Sequence, residues 1–231
     1  MHTTSVDQEE LAKFSKLSDK WWDIHGPFKM LHEINPIRLE YIKNILGEDI
    51  KKKKLLDLGC GGGILSIPLS RIAKKVIAID ASRENIEAAK AQALAKKADV
   101  DFICSTIENH KNSYDAVICF ELLEHVENVE KFIEDVVSRV KKGGKVIFST
   151  LNRNPKSLLL AIGMAEYILG LVPKGTHRYS KFIKPSELAF MLEKQGIGVT
   201  NISGMSYNVM NNSWNLSRDV DVNYFLAGVK K

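Results

Sequence analysis

In YDAVICFELLEHV, Tyr114 to Val126, an apolar run ends at Phe120, and Glu121, Glu124 and His125 then follow within five residues. If a helix begins near Glu121, the i, i+3, i+4 spacing puts all three on one face. That face lies at the carboxyl end of a strand, where open α/β sheets bind ligands. Two carboxylates and an imidazole make a workable set for a hard divalent ion such as Mg²⁺, with waters and an acceptor oxygen completing the shell. They are fewer fixed ligands than a dedicated metal site offers. Without a metal, His125 or Glu124 has the chemistry of a general base. The plain alternative is that the acids favour a helix N-terminus and the histidine only hydrogen-bonds in a cleft. Residue types alone leave the three readings open.

A second constellation is LLDLGCGGG, with Gly59, Gly61, Gly62 and Gly63 directly after an apolar run and before a helical pattern. Glycine allows a tight turn and close approach to a ligand, with helix-start amides facing it. The dinucleotide fingerprint wants a glycine at its sixth position, where this chain has Ile64, so a nicotinamide or flavin is disfavoured. Asp80 ends the next apolar run, VIAID, roughly 20 residues on, where an acid accepts hydrogen bonds from ribose hydroxyls. Together these predict a nucleoside bound at the strand ends.

The elements that must position these groups alternate along the chain. KLLDLG, KVIAID, VDFIC, DAVICF and KVIFST read as strands, and the stretches between them have helical patterns, as in βαβ units on a parallel sheet. A helix is predicted over Val129 to Val140, ended by a KKGG cap and turn at Lys141 to Gly144. Helical patterns over Gln8 to Asp23 and Pro36 to Leu46 precede the core. After Pro155 comes an apolar insertion, then a helix over Ser186 to Lys194, a strand near Val199 to Ser203 and a terminal strand VNYFLAGV, the last two as a long hairpin. We expect one domain over 1–231: an N-terminal helical addition (1–50), a cofactor core (54–150), an insertion or lid (155–184) and closing elements (185–231).

Composition narrows the function classes. With 45% hydrophobic residues, the chain can bury a full core. Its net charge of +5 is spread over scattered lysines among many acids, which argues against nucleic acid as a partner. Cys60, Cys104 and Cys119 are far apart and read as reduced thiols. The opening MHTTSVDQEE has neither a secretory nor a transit pattern, so the expected location is the cytoplasm. His25, His32 and His177 have no visible partner and stay outside the catalytic set.

LDLGCGGG, VIAID, DAVICFELLEHV and KKGGKVIFSTLNRN together resemble a class I S-adenosylmethionine-dependent methyltransferase. INPIRLEYI, FSTLNRNPKS, AEYILGLVPKGTH, KFIKPSEL and DVDVNY extend the resemblance, over nearly the whole chain, to the ubiquinone biosynthesis O-methyltransferase family. The resemblance implies a Rossmann-like α/β fold with a seven-stranded, mostly parallel sheet whose last strand is antiparallel. It implies contacts to S-adenosyl-L-methionine from Arg38, Gly59, Asp80 and Phe120, where the family commonly has Met in place of Phe120. It also implies Glu121, Glu124 and His125 as magnesium ligands; His125 and Glu124 are the catalytic candidates as general bases without a metal. No adenine contact is assigned within Cys104 to Asn109. The N-P-P-aromatic signature of nucleobase N-methyltransferases is absent after the fourth strand.

A methyl on a sulfonium is already activated, so the protein must mainly align the reactants and exclude water. The implied acceptor is a polyprenylated phenol or catechol, whose hydroxyl, with a pKa near 10 in a Tyr-like model, must lose its proton. A soluble acceptor, and a non-catalytic nucleoside-binding adaptor, are the rival readings. Leu158 to Val172 is apolar but shorter than the roughly 20 residues that span a bilayer. It reads as a lid, as a segment lying on an anionic membrane with Lys156, Lys174, Arg178, Lys181 and Lys184 beside it, or as both. The second reading adds a peripheral position at the inner face of the cell membrane. The resemblance leaves room for a complex with other ubiquinone-biosynthesis proteins.

Overall fold

The computed structural model describes residues 7–158, 179–210 and 213–231. Its eight strands form one sheet: β1 (Lys54–Leu58), β2 (Lys75–Asp80), β3 (Val100–Cys104), β4 (Tyr114–Phe120), β5 (Val140–Leu151), β6 (Ile197–Asn208), β7 (Ser213–Ser217) and β8 (Asn223–Lys230). The order is β3-β2-β1-β4-β5-β8-β6-β7. Strands β1 to β5 pair in parallel, and β8 runs antiparallel between β5 and β6. The expected sheet was one strand short. β6 runs on to Asn208 and turns back as β7, which pairs with it from Gly204↔Ser217 to Asn208↔Ser213. The pairing of β6 with β8 is the predicted closing pair.

Successive residues of a strand face opposite sides of a sheet, and a parallel sheet is covered on both. Leu56 and Leu58 of β1 therefore join one cluster, packed with Phe132, Ile133 and Val136 of α5 (Val129–Ser138) and Leu188 and Leu192 of α6 (Pro185–Lys194). Leu55 joins the opposite cluster, against Ile37, Tyr41 and Ile42 of α2 (Lys29–Leu46). After the short α3 (Ser66–Leu69), α4 (Arg83–Ala95) covers Ala78 and Phe102 with Ile86, Ala89 and Ala93.

Three boundaries differ from the sequence reading. α1 (Gln8–Lys16) is followed by a 3-10 turn, Ser18–Lys20, where a longer helix was expected. α2 begins seven residues before Pro36, which stands inside it. Buried Asn35 there donates to the Ile64 carbonyl at 2.9 Å, tying the helix to the glycine loop. The KKGG stretch lies inside β5, with Gly143 at φ 72°, and the β4–β5 register shifts between Tyr114 and Ala116, so the glycines serve an irregular strand start. The apolar part of the insertion after Leu158, with His177, lies outside the described residues. Among the described residues no helix is long and apolar enough to cross a membrane.

Candidate active site

At the carboxyl ends of β1, β2 and β4 the structure encloses a cleft of about 810 Å³, its mouth included. Its floor is Leu58, Gly59 and Gly61 with Ile79 and Asp80. Ser105, Thr106, Ile107 and Glu108 form one wall, and Glu121, Leu122, His125 and Val126 another. The remaining side is N-terminal: Asp7, Glu10, Leu11 and Phe14 of α1 (Gln8–Lys16), with Trp21.

The glycines are required by conformation and by packing. Gly59, Gly61 and Gly63 have φ of 73°, 51° and 80°, a region side chains rarely adopt. A Cβ on Gly59 would lie 2.8 Å from Leu122, and one on Gly61 2.4 Å from the Trp21 ring. Trp21 is buried, stacks on Phe28 at 3.8 Å and donates to Asn85 Oδ1 at 2.9 Å, while Trp22 donates to the Gly62 carbonyl at 2.8 Å. Trp21 both anchors the N-terminal segment and lines the cleft.

Asp80 closes the other half of the floor. Its Oδ2 accepts from the Gly61 amide at 2.9 Å, and its Oδ1 from the Ser82 amide at 2.8 Å and Asn85 Nδ2 at 3.3 Å. Burial raises its pKa, and these donors offset part of that rise. A carboxylate has about four lone-pair sites, so acceptor capacity toward the cleft is left for hydroxyls.

The chain past Phe120 does not enter a helix at Glu121. Glu121 takes φ 48°, a 3-10 turn covers Leu123–His125, and α5 starts only at Val129. The three side chains consequently fan out to different partners. Glu121 Oε1 accepts from Ser149 Oγ at 2.7 Å and Asn223 Nδ2 at 2.9 Å, with Arg38 Nη2 3.6 Å away. Glu124 Oε2 accepts from Thr150 Oγ1 at 2.8 Å. His125 Nδ1 meets Glu10 Oε2 at 3.0 Å, and its ring stands edge-on to Phe14 at 5.2 Å.

Burial, joined by the Glu121 charge, pushes the Glu124 carboxyl up to about 7. His125 is pulled down by burial, but the bond to Glu10 and the charges of Glu124, Glu10 and Glu121 outweigh this and leave it raised. That bond holds Glu10 down at about 2. The site thus contains a carboxyl raised to about 7 beside a histidine whose charged form is favoured.

The family profile described as "Methyltransferase domain" matches residues 30–202. A "Ubiquinone biosynthesis O-methyltransferase" of Rickettsia canadensis (strain McKiel) is 48% identical, over 96% of this chain and 97% of its own. One of the same name from Pelagibacter ubique (strain HTCC1062) is 40% identical, over 98% and 99%. The chain belongs to the ubiquinone biosynthesis O-methyltransferase family. Among solved structures, magnesium protoporphyrin IX methyltransferase from Synechocystis PCC 6803 with bound SAH superposes with a TM-score of 0.67 at 22% identity, over 92% of this chain and 94% of that one. A SAM-dependent methyltransferase from Thermotoga maritima gives 0.67 at 20%, over 95% and 97%. These two establish the class I methyltransferase fold.

As a member of the ubiquinone biosynthesis O-methyltransferase family, the protein is an S-adenosylmethionine-dependent enzyme, and its cleft fits that donor. Gly59 and Asp80 line the cleft as expected; Arg38 and Phe120 do not. Arg38 is buried in α2, its guanidinium 5.6 Å from the Phe120 ring, and it is joined to the cleft wall through Glu121. Its Nε and Nη2 are buried without a hydrogen bond among the described residues, with the Glu121 carboxylate 3.6 Å from Nη2.

Mg²⁺ fits less well. Among the described residues no group of three or more His, Cys, Asp or Glu side chains is placed to hold a metal ion. The expected single helical face is replaced by a left-handed residue and a 3-10 turn, which aim Glu121, Glu124 and His125 apart. Burial pushes the Cys60 and Cys119 thiols well up, so these are packing groups rather than nucleophiles.

Sequence reasoning missed two groups of lining residues. Ser105 to Glu108 follow β3 at the level of Asp80, and their place at a strand end was a usable signal. Asp7 and Glu10 carried none. DQEE reads as a helix N-terminus, and Asp7 does cap α1, accepting from the Glu9 and Glu10 amides.

Proposed function

We propose that the protein methylates ring hydroxyls of polyprenylated phenol and catechol intermediates in ubiquinone biosynthesis, with Glu124 and His125 taking the proton that the acceptor gives up. The observation that carries this reading is His125 on the wall of the donor cleft, with the buried Glu124 next to it in the chain. S-adenosylmethionine supplies a methyl group already activated on sulfur. What is left to the protein is orientation, dryness and the proton.

Asp80 and the Gly59–Gly63 loop hold the nucleoside end, and Arg38 and Glu121 fix the wall beside the methyl. Trp21 and the apolar faces of Leu11 and Phe14 keep water out. The acceptor oxygen forms its bond to the methyl carbon as the carbon–sulfur bond breaks and sulfur keeps the electron pair. The phenolic proton passes to the Glu124–His125 pair, in which burial has raised the Glu124 carboxyl to about 7. Methyl transfer from labelled donor to a short-tail prenylated catechol tests this. Transfer to soluble catechols alone would favour a soluble acceptor, and none to any catechol despite donor binding would favour the adaptor reading.

A second reading keeps Mg²⁺ at Glu121, Glu124 and His125. What favours it is the mutual repulsion of the two neighbouring carboxylates, which a cation would relieve. It requires Glu121 to leave Ser149 and Asn223, and His125 to leave Glu10.

The membrane part of the reading rests on the sequence of 156–184 and on a substrate whose tail stays in lipid. Two of its basic residues are already engaged: Lys156 pairs with Asp219 and Asp221, and Lys181 with Asp7. Binding to anionic liposomes that is lost when Leu158 to Val172 is deleted, in a folded variant, is the expected result. Full binding after the deletion would remove the assignment.

A further inference from the structure

β6 runs in the direction of β1 to β5, because it is antiparallel to β8 and β8 is antiparallel to β5. Its far end therefore lies at the same edge of the sheet as the cleft. Ser203 is level with Phe225, Ser149 and Phe120 across the strands. Asn208 ends β6 roughly 16 Å beyond that level, at about 3.3 Å per residue. The base of the β6–β7 hairpin is fixed, since Met205, Trp214 and Leu216 pack on the cluster that holds Ile37 and Tyr41 of α2. Its tip is bare. Tyr207 is 43% exposed, Val209 82% and Met210 98%, and Asn208 Oδ1 accepts from the Met210 amide at 2.9 Å across the turn.

Single exposed apolar side chains are ordinary on a protein surface, but turns favour Gly, Asn, Asp and Ser, and three apolar neighbours at the outermost point of a strand pair are poorly served by water. Charge narrows what covers them. From Gln195 to Ser217 the sequence has no Asp, Glu, Lys, Arg or His, in a chain of which 26% is charged. Such a hairpin has no charge with which to select a protein partner. Its three exposed side chains are also far fewer than the roughly 20–30 residues a side of a stable protein interface. A bilayer needs neither. Its interfacial layer accepts an apolar tip backed by aromatic rings, and Tyr207 and Trp214 stand behind this one with their centroids 5.2 Å apart.

We propose that the β6–β7 hairpin is a membrane-contacting element, with Val209 and Met210 entering the interfacial layer of a lipid bilayer. The inference rests on the reading that the acceptor's tail stays in lipid. With the tip seated, the carboxyl edge of the sheet faces the membrane, and a substrate tail reaches the cleft from the lipid side. This contact differs in kind from the one assigned to 156–184. Basic side chains meet anionic headgroups and are screened by salt, whereas an uncharged tip partitions by apolar burial, which needs no anionic lipid and is not screened.

The test uses the full chain and vesicles of phosphatidylcholine, with and without phosphatidylglycerol, at low and high salt. Cosedimentation is compared for the wild type and Val209→Asp/Met210→Asp, whose changes sit on exposed turn positions outside the cleft, with melting temperature and short-tail methyl transfer measured alongside. A polarity-sensitive fluorophore on Met210→Cys in a Cys104→Ser background reports the surroundings of the tip directly, the other two cysteines being buried. We expect the wild type to bind phosphatidylcholine alone, at a level that high salt does not reduce. The double variant should bind about 10- to 100-fold more weakly with short-tail kcat retained, and the label's emission should shift to the blue on vesicles. Equal binding by the double variant, or a label that stays in water on vesicle-bound protein, overturns the inference and leaves the membrane role of 156–184 standing. So does wild-type binding to anionic vesicles only. Self-association that the double variant loses, without binding to phosphatidylcholine, overturns it in favour of a second copy. Failure of the wild type to bind any vesicle removes the membrane reading and the inference together.

Discussion

Thr150 on β5 donates its hydroxyl to Glu124 Oε2 at 2.8 Å, joining two adjacent strand ends through a buried acid next to the cleft-lining His125. Glu124 sits at about 7 rather than the usual 4.5. Its ionised form is the base, so kcat is expected to rise with pH through that region and level off above it, as one apparent step of a coupled group. The Thr150 bond favours the charged form, so Thr150→Val should move the rising limb to higher pH. An unshifted limb would detach Glu124 from the profile. For stability the sign is opposite: the folded state holds a proton that the unfolded chain has lost, so this group's contribution falls as pH rises from 4.5 to about 7.

Asp80 presents a buried carboxylate to the donor's nucleoside end. Asp80→Ala removes charged hydrogen bonds worth about 1.5–3 kcal/mol each, so calorimetry should show donor affinity lower by roughly 10- to 100-fold. Unchanged affinity would place the ribose elsewhere.

Gly62 tests the packing of the loop without the complication of a left-handed backbone. A Cβ there would lie 2.3 Å from Trp21 Cγ. Gly62→Ala must push Trp21 off its seat between the loop and Phe28, at a cost of about 1–3 kcal/mol. Thermal melting should show the loss, and tryptophan fluorescence the displaced ring. Wild-type stability would mean that Trp21 moves freely.

Because Glu121, Glu124 and His125 are held by separate protein partners, methyl transfer is expected to persist after treatment with chelator. Loss of turnover that Mg²⁺ restores would show that the three side chains regroup around the ion, and would make the second reading the correct one.

The order of elements from β1 to β5 was legible because short, nearly continuous apolar runs alternate with helical patterns, and both faces of a parallel sheet need apolar cover. Gly59 and Asp80 were legible because strand ends and glycine turns fix where a nucleoside can lie. β7 was not: SWNLS alternates polar and apolar residues but is only five residues long, and it is defined by its pairing with an overlong β6. The geometry after Phe120 was lost for a different reason. Glu121 at φ 48° is a backbone state that ordinary spacing rules do not anticipate, and it turns an apparent helical face into three divergent side chains. Glu10 was invisible because its partner is remote in sequence.

The most direct test of the account is methyl transfer from labelled S-adenosylmethionine to a short-tail prenylated catechol by Glu124→Ala, measured beside donor binding on the same sample. The account predicts turnover reduced by about 100-fold or more, within the span of general-base contributions, with donor affinity retained. Turnover at the wild-type rate would contradict it, because the acceptor's proton would then leave by a route that does not involve this carboxyl.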